Sequence, residues 1–271
     1  MTESDRVVRW EKRGHIATVW LSNPARRNAM GRKFFEQLPQ VMREASGDHD
    51  VRAVVIAAEG PAFTVGLDLA DMGATLAPQG SETETRTKLL AEINRLQRSI
   101  GSVADCPVPT IVALHGWCIG GGVDLATCCD VRLASADMKL SVRETKIAIV
   151  ADLGTLQRLP RIVSSGHVAE LAFTGKDVSS HRCKEIGLVN DVYETPEAVQ
   201  AAAHALAQEI AENSPLVVRG VKQVLRYGEG KSVQDGLDYV AAWNAAFLLS
   251  QDLAEAMSAF FEKRKAVFRG L

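Results

Sequence analysis

Two uninterrupted apolar runs constrain the fold of this chain more than any other feature. Ala53–Ala58 is apolar throughout, and Thr110–Leu114 is apolar after its first residue. Strands that are covered on both faces have this composition, whereas a strand with one wet face alternates apolar and polar residues. An amphipathic helix is predicted between the two runs at Glu82–Val103, and a further strand follows at Val131–Ala134. This succession of strand, helix and strand predicts an α/β fold with right-handed crossovers.

The last part of the chain differs, because its apolar residues follow helical spacing throughout. Four helices are predicted there, namely Pro196–Glu212, Pro215–Tyr227, Val233–Leu249 and Asp252–Val267. We therefore divide the chain into a core, residues 1–195, and a helical C-terminal region, residues 196–271. A chain of 271 residues is long enough for one large domain with such an appendage.

Composition and charge argue against several classes of protein. The chain has 31 Lys and Arg against 33 Asp and Glu, so its formal net charge of −2 gives no indication of nucleic-acid binding. No apolar stretch is long enough to span a bilayer, and residues 1–6 lack a signal-peptide core, so we expect a cytoplasmic location. Five irregularly spaced cysteines indicate reduced, buried thiols. No pair of histidines has zinc-site spacing, so no metal site is expected.

Each buried run leads into a loop that could contact a ligand. Cys118–Asp124 (CIGGGVD) follows the second run and opens a helix, where free backbone N–H groups can approach a negatively charged oxygen. It lacks the spacing of a dinucleotide fingerprint or a P-loop, and helix–sheet packing alone explains one of its three glycines. Phe63–Leu69 follows the first run, and the N–H of Val65 could be a second donor, although a plain loop into a helix is an alternative. Two converging donors would form an oxyanion hole.

Three carboxylates complete the candidate site. Each of them has a structural alternative: Asp124 could stabilise its helix start, Glu144 could pair with a neighbouring base, and Asp152 could cap the helix near Gly154. Eight residues separate Glu144 from Asp152, which is too far for adjacent positions on one helix and fits two acids on a loop across a pocket. Carboxylates in an apolar pocket can move protons near neutral pH. The combination points to proton transfer next to a carbonyl.

Over nearly its whole length, the chain resembles the crotonase superfamily, also called the enoyl-CoA hydratase/isomerase family. The motifs that carry the resemblance are Asn23-Pro24, Asn28-Ala29-Met30, Phe63–Leu69, His115-Gly116, Gly120-Gly121-Gly122, Asp130, Gln157-Arg158-Leu159, Phe173-Thr174-Gly175 and Ser258–Lys265. The resemblance implies an α/β fold, a crotonase-like ββα spiral core with a helical C-terminal region for trimerisation. It also implies an acyl-CoA thioester substrate and assembly as a homotrimer or a dimer of trimers. Coenzyme A is part of that substrate, and no metal, nicotinamide or flavin is called for.

Within the superfamily, the chain is most similar to Δ3,5-Δ2,4-dienoyl-CoA isomerases. Typical hydratases have Glu where this chain has Asp124 and a small glycine where it has Asp152, whereas both kinds share an acid that matches Glu144. Asp152 is therefore the discriminating residue. The resemblance implies conversion of 3,5-dienoyl-CoA to 2,4-dienoyl-CoA by proton transfer from C2 to C6. A 2-enoyl-CoA hydratase is the first alternative, and a non-catalytic acyl-CoA or RNA binding protein on the same fold is the second.

The resemblance also assigns roles to individual residues. Glu144 and Asp152 are the proton-moving pair, Asp124 is a supporting acid, and the N–H groups of Val65 and Gly121 hold the thioester oxygen. The expected contacts with coenzyme A are Arg26, Arg27, Leu67, Asp68, Phe260 and Lys263. The last two of these resemble C-terminal residues that reach a coenzyme A site, often that of a neighbouring subunit. Which acid of the pair takes the first proton stays open at this point, as does the length of the acyl chain.

Overall fold

The computed structural model describes residues 6–76 and 80–271, and two sheets organise them. The strands are β1 (Val8–Arg13), β2 (Ile16–Leu21), β3 (Ala53–Ala58), β4 (Thr110–Leu114), β5 (Trp117–Ile119), β6 (Val131–Ser135), β7 (Lys139–Ser141), β8 (Val178–Ser179) and β9 (Asp191–Tyr193). The larger sheet has the order β1-β2-β3-β4-β6-β9, and the smaller one has the order β5-β7-β8. In the larger sheet only the β1–β2 pair is antiparallel.

Helices cover and extend this framework, which confirms the predicted α/β fold. They are α1 (Arg32–Gly47), α2 (Leu69–Leu76), α3 (Glu82–Ala104), α4 (Gly121–Cys128), α5 (Thr155–Arg158), α6 (Ser165–Thr174), α7 (Ser180–Glu185), α8 (Pro196–Ala211), α9 (Pro215–Gly228), α10 (Val233–Phe247) and α11 (Gln251–Glu262). No helix among the described residues is long and apolar enough to cross a membrane. Residues 1–5, part of the polar start of the chain, lie outside the described residues.

Burial on both faces explains the uninterrupted apolar character of β3. Val54 and Ile56 belong to a core beneath α1 and α3, whereas Val55 and Ala57 belong to a second core that α8 covers. Every residue of β3 and β4 is buried. The two strands are parallel neighbours, so the loops that follow them leave the sheet at the same edge. This edge positions the candidate site.

The C-terminal helices match their predicted positions except at the end of the last one. We predicted a helix to Val267, but α11 ends at Glu262 because Lys263 adopts the left-handed conformation (φ 55°), and its N–H closes the helix by donating to Phe260. The boundary at residue 195 stays a prediction. The C-terminal region is joined to the core by α8, which packs on the sheet, and by α9, whose buried Lys222 donates to Val108 and Asp130.

Candidate active site

The two loops that follow β3 and β4 lie side by side. The N–H of Thr64 donates to the carbonyl of Trp117 (2.8 Å), and the N–H of Ile119 donates to the carbonyl of Thr64 (3.2 Å). Beyond this bridge, both loops border a cavity of about 520 Å³. The predicted convergence of the two loops is therefore present, and it joins segments that are about fifty residues apart in sequence.

All three candidate carboxylates line this cavity, and apolar side chains make up most of its remaining wall. The apolar part comes from α2, from α3 and from residues 147–150. The sequence prediction that Asp124, Glu144 and Asp152 share one pocket therefore agrees with their placement. Among the described residues, no group of His, Cys, Asp or Glu side chains is arranged to hold a metal ion.

Glu144 begins a 3-10 turn, Glu144–Ile147, and the hydrogen bond that its carboxylate accepts comes from its own main chain. Its Oε2 atom is buried and accepts no hydrogen bond from any described residue. The adjacent Arg143, one of the bases considered as a partner, pairs with Asp177 instead. A Cβ atom placed on Gly120, which has φ +53°, would lie 3.3 Å from Oε1 of Glu144. Glu144 thus lies beside the glycine turn that opens α4.

Asp124 lies in the first turn of α4 and is fully buried. Its Oδ1 atom accepts a hydrogen bond from the N–H of Thr155 (2.6 Å), the first residue of α5. The sequence suggested that Asp152 might cap this helix, but Asp124 supplies that contact. Asp124 therefore connects α4 to the loop that carries Asp152.

Burial raises the pKa of all three acids. The pKa of Glu144 is raised to about 7, mainly by burial and further by the charges of Asp124 and Asp152. Burial raises the pKa of Asp124 to about 6 against the opposing effect of its Thr155 contact, and burial also raises the pKa of Asp152. Since like charges in one pocket disfavour each other, the cavity favours a partly protonated set of acids near neutral pH.

These shifts predict that Glu144→Gln stabilises the protein at high pH. The folded-state pKa of Glu144 exceeds its ordinary value of 4.5, so the folded state binds more protons and loses stability as pH rises toward about 8. We expect the variant to be more stable than the wild type at pH 8 by on the order of 1–2 kcal/mol, because partial exposure screens part of the penalty. Urea unfolding at pH 5 and pH 8 measures the free energy of unfolding of both proteins. The difference between the variant and the wild type should be smaller at pH 5. Equal stability at pH 8 would contradict it.

The structure contradicts the prediction that the N–H of Val65 is available as an oxyanion donor. The N–H of Val65 already donates to the carbonyl of Arg27 (3.2 Å), so it is not available to a thioester oxygen. The carbonyl of Gly66 accepts the N–H of Met30, and the N–H of Asp68 donates to the carbonyl of Met30. The N–H of Leu67, which lies between these two groups, therefore points away from Met30. The N–H groups of Leu67 and Gly121, both bordering the cavity, donate to no other described residue.

The residues expected near coenzyme A are only partly assembled in one chain. Leu67 lines the cavity, whereas Asp68 is buried, accepts the N–H of Asp71 and pairs with Arg26 at 3.0 Å. Arg26 and Arg27 are exposed beside that loop. Phe260 and Lys263 lie on and after α11 and do not line the cavity of their own chain. Their contact with a neighbouring subunit stays a prediction.

Comparisons with known proteins agree with the site and the fold. The model of the family described as "Enoyl-CoA hydratase/isomerase" matches residues 11–270. A mitochondrial Δ3,5-Δ2,4-dienoyl-CoA isomerase of Dictyostelium discoideum is 41% identical over 94% of this chain and 87% of its own length. A peroxisomal enzyme of the same name from Arabidopsis thaliana is 38% identical over 98% of this chain and 96% of its own length.

A solved structure extends the likeness to the whole fold. An enoyl-CoA hydratase from Bacillus anthracis has a TM-score of 0.89 and 26% identity, and the alignment covers 98% of this chain and all of that one. The family match covers nearly every residue of the chain. It agrees with the two glycine-containing loops at one edge of the sheet and with the buried acids beside them. The chain belongs to the enoyl-CoA hydratase/isomerase family, the crotonase superfamily.

Proposed function

We propose that this protein is a Δ3,5-Δ2,4-dienoyl-CoA isomerase. The observation that carries the proposal is Asp152, a second acid in the same cavity as Glu144. Isomerisation needs proton transfer at C2 and at C6, which lie several bonds apart, so two separated carboxylates suit it. The relatives at 38% and 41% identity bear the isomerase name, which supports this activity over hydration.

The positions of the two acids support one order of proton transfer. Glu144 is beside the glycine turn whose next N–H belongs to Gly121, so it is the acid nearer to the thioester and to C2. Asp152 lies where the loop meets α3 and is the acid for the distal carbon. Because burial raises the pKa of both acids, the reactive bound state is the one in which Glu144 is ionised and the proton is on Asp152. In that state Glu144 takes a proton from C2 and Asp152 gives one to C6, which moves the double bonds to C2 and C4. The cycle closes when Glu144 loses its proton and Asp152 regains one.

The dienolate intermediate carries its negative charge on the thioester oxygen. The N–H groups of Leu67 and Gly121 would hold that oxygen, and loss of one such donor typically costs on the order of 3 kcal/mol of barrier. Asp124 does not need to touch the substrate in this scheme. Its contact with Thr155 fixes the start of α5, and its charge raises the pKa of Glu144.

A turnover assay with two substrates tests the proposal. We expect 3,5-octadienoyl-CoA to give rapid growth of the absorbance of a conjugated 2,4-dienoyl thioester, and trans-2-octenoyl-CoA to give little 3-hydroxyacyl-CoA. Hydration without isomerisation would make the protein a hydratase. Binding of acyl-CoA with neither reaction would favour a non-catalytic binding protein.

We also propose that the protein is a homotrimer or a dimer of trimers. The supporting observation is an exposed apolar stripe on α9, Val217, Val221 and Leu225, beside a groove of about 560 Å³ between α9, α10 and α11. Light scattering should give three or six times the chain mass of 29.3 kDa. Val221→Asp should reduce that mass, because a buried charge would oppose association. A wild-type protein of single-chain mass would contradict the proposal.

A further inference from the structure

The loop that carries Asp152 is held through its main chain at three successive points. The Nε2 atom of Gln97 donates to the carbonyl of Asp152 (2.6 Å), and Nη1 of Arg158 donates to the carbonyl of Leu153 (3.3 Å). The N–H of Thr155 donates to Asp124, as described above. The carboxylate of Asp152 accepts a hydrogen bond from its own main chain, and no side chain among the described residues donates to it.

This arrangement fits what a proton-transfer group requires. A carboxylate that gives and takes a proton cannot be locked by a permanent partner, so its placement depends on the backbone that carries it. The contacts of Leu153 and Thr155 come from α5 and α4, which lie next to the loop. Gln97 differs because it belongs to α3, the helix that supplies Ile93 and Leu96 to the wall of the cavity.

The conformation of Gly154 shows that the loop is closely fitted to these contacts. Gly154 has φ +126°, a conformation that side chains rarely adopt. A Cβ atom placed there would lie 1.7 Å from Nη1 of Arg158, so the guanidinium packs directly on the loop backbone. These contacts fix the main chain after Asp152. The orientation of the Asp152 carbonyl group is then set by Gln97, which donates to its oxygen.

We propose that Gln97 is a positioning residue for isomerisation, which holds the main chain of Asp152 against α3 so that the carboxylate faces the distal carbon of the dienoyl chain. The inference rests on the proposed function, since it concerns the second proton transfer. Gln97 touches neither acid's carboxylate in the described hydrogen bonds and is exposed on its helix, so its amide is not needed to complete the core.

Gln97→Met tests this inference, because it keeps the length of the side chain and removes the donor. We expect kcat for 3,5-octadienoyl-CoA to fall about 10-fold or more, with little change in KM, since small displacements of a catalytic group are costly. In D2O, deuterium should still be incorporated at C2 of the recovered substrate, because Glu144 still forms the dienolate. The ratio of exchange to isomerisation therefore rises.

Asn94→Leu is the matched control, since Asn94 is an exposed carboxamide one turn earlier on α3 with no hydrogen bond to a described residue. It should leave both rates unchanged. The inference is overturned if Gln97→Met leaves kcat unchanged, or if exchange and isomerisation fall in parallel, as a general loosening of the site would produce. A wild-type protein that does not isomerise the dienoyl substrate would instead remove the proposed function, whatever the variant does.

Discussion

Asp152→Asn is expected to abolish most isomerisation while the fold and the first proton transfer survive. The variant cannot deliver a proton to C6, and loss of a general acid typically costs about 10²–10⁴-fold in rate. The amide keeps the shape of the carboxylate, and the contacts from Gln97 and Arg158 go to main-chain carbonyls that the substitution leaves in place. Growth of the conjugated dienoyl absorbance measures the loss.

Isotope exchange makes this prediction specific. In D2O, the dienolate formed by Glu144 should return to substrate and incorporate deuterium at C2, because C6 receives no proton. Circular dichroism and thermal unfolding should match the wild type. Isomerisation at the wild-type rate would show that Asp152 has a structural role only, and hydration of 2-enoyl-CoA that survives the substitution would favour the hydratase.

Glu144→Gln should remove both isomerisation and C2 exchange. The variant has no base beside the donor Gly121, so the dienolate does not form, and a loss of about 10²–10⁴-fold is expected for each rate. The carboxylate of Glu144 accepts no hydrogen bond at Oε2 from the described residues, so the amide breaks no contact there. Rapid-quench assays of product, together with mass analysis of recovered substrate, measure the two rates.

A neighbouring acid provides the control for Glu144→Gln. Asp177 does not line the cavity, although its partner Arg143 does, so Asp177→Asn removes a carboxylate from the pair next to Glu144 and leaves the acids of the site in place. It should retain activity. If Glu144→Gln kept C2 exchange while Asp152→Asn lost it, the two acids would have the opposite roles from those proposed.

The sequence alone predicted the buried strands and the three carboxylates of the candidate site. The apolar runs at β3 and β4 predicted two buried strands, and the structure shows that they are parallel neighbours whose following loops reach one edge. Asp124 follows β5 on the second of these loops, whereas Glu144 and Asp152 reach the same cavity from the segment after β7. Each of these features depends on residue type and on spacing along the chain, both of which the sequence displays directly.

The direction of a backbone N–H depends instead on pairing with distant segments. Val65 and Leu67 are close in the same loop, but Val65 donates to Arg27 and Leu67 does not, because the segment from Arg27 to Met30 lies along one edge. The contact of Gln97 could not be predicted for the same reason. A polar residue on an amphipathic helix is expected to face solvent, and its partner Asp152 lies 55 residues later in the sequence. The contact predicted for Phe260 and Lys263 is with a neighbouring subunit, and it stays a prediction.

Asp124 has a consequence for how activities diverge within this family. One side chain both borders the reaction cavity and starts the helix whose preceding loop carries Asp152. A longer glutamate at position 124 would displace Thr155, and a glycine at position 152 would relax the loop that Asp124 anchors. The two positions are therefore energetically coupled. We therefore expect the effect of Asp152→Gly to depend on the residue at position 124, and a double-mutant cycle with Asp124→Glu measures that dependence.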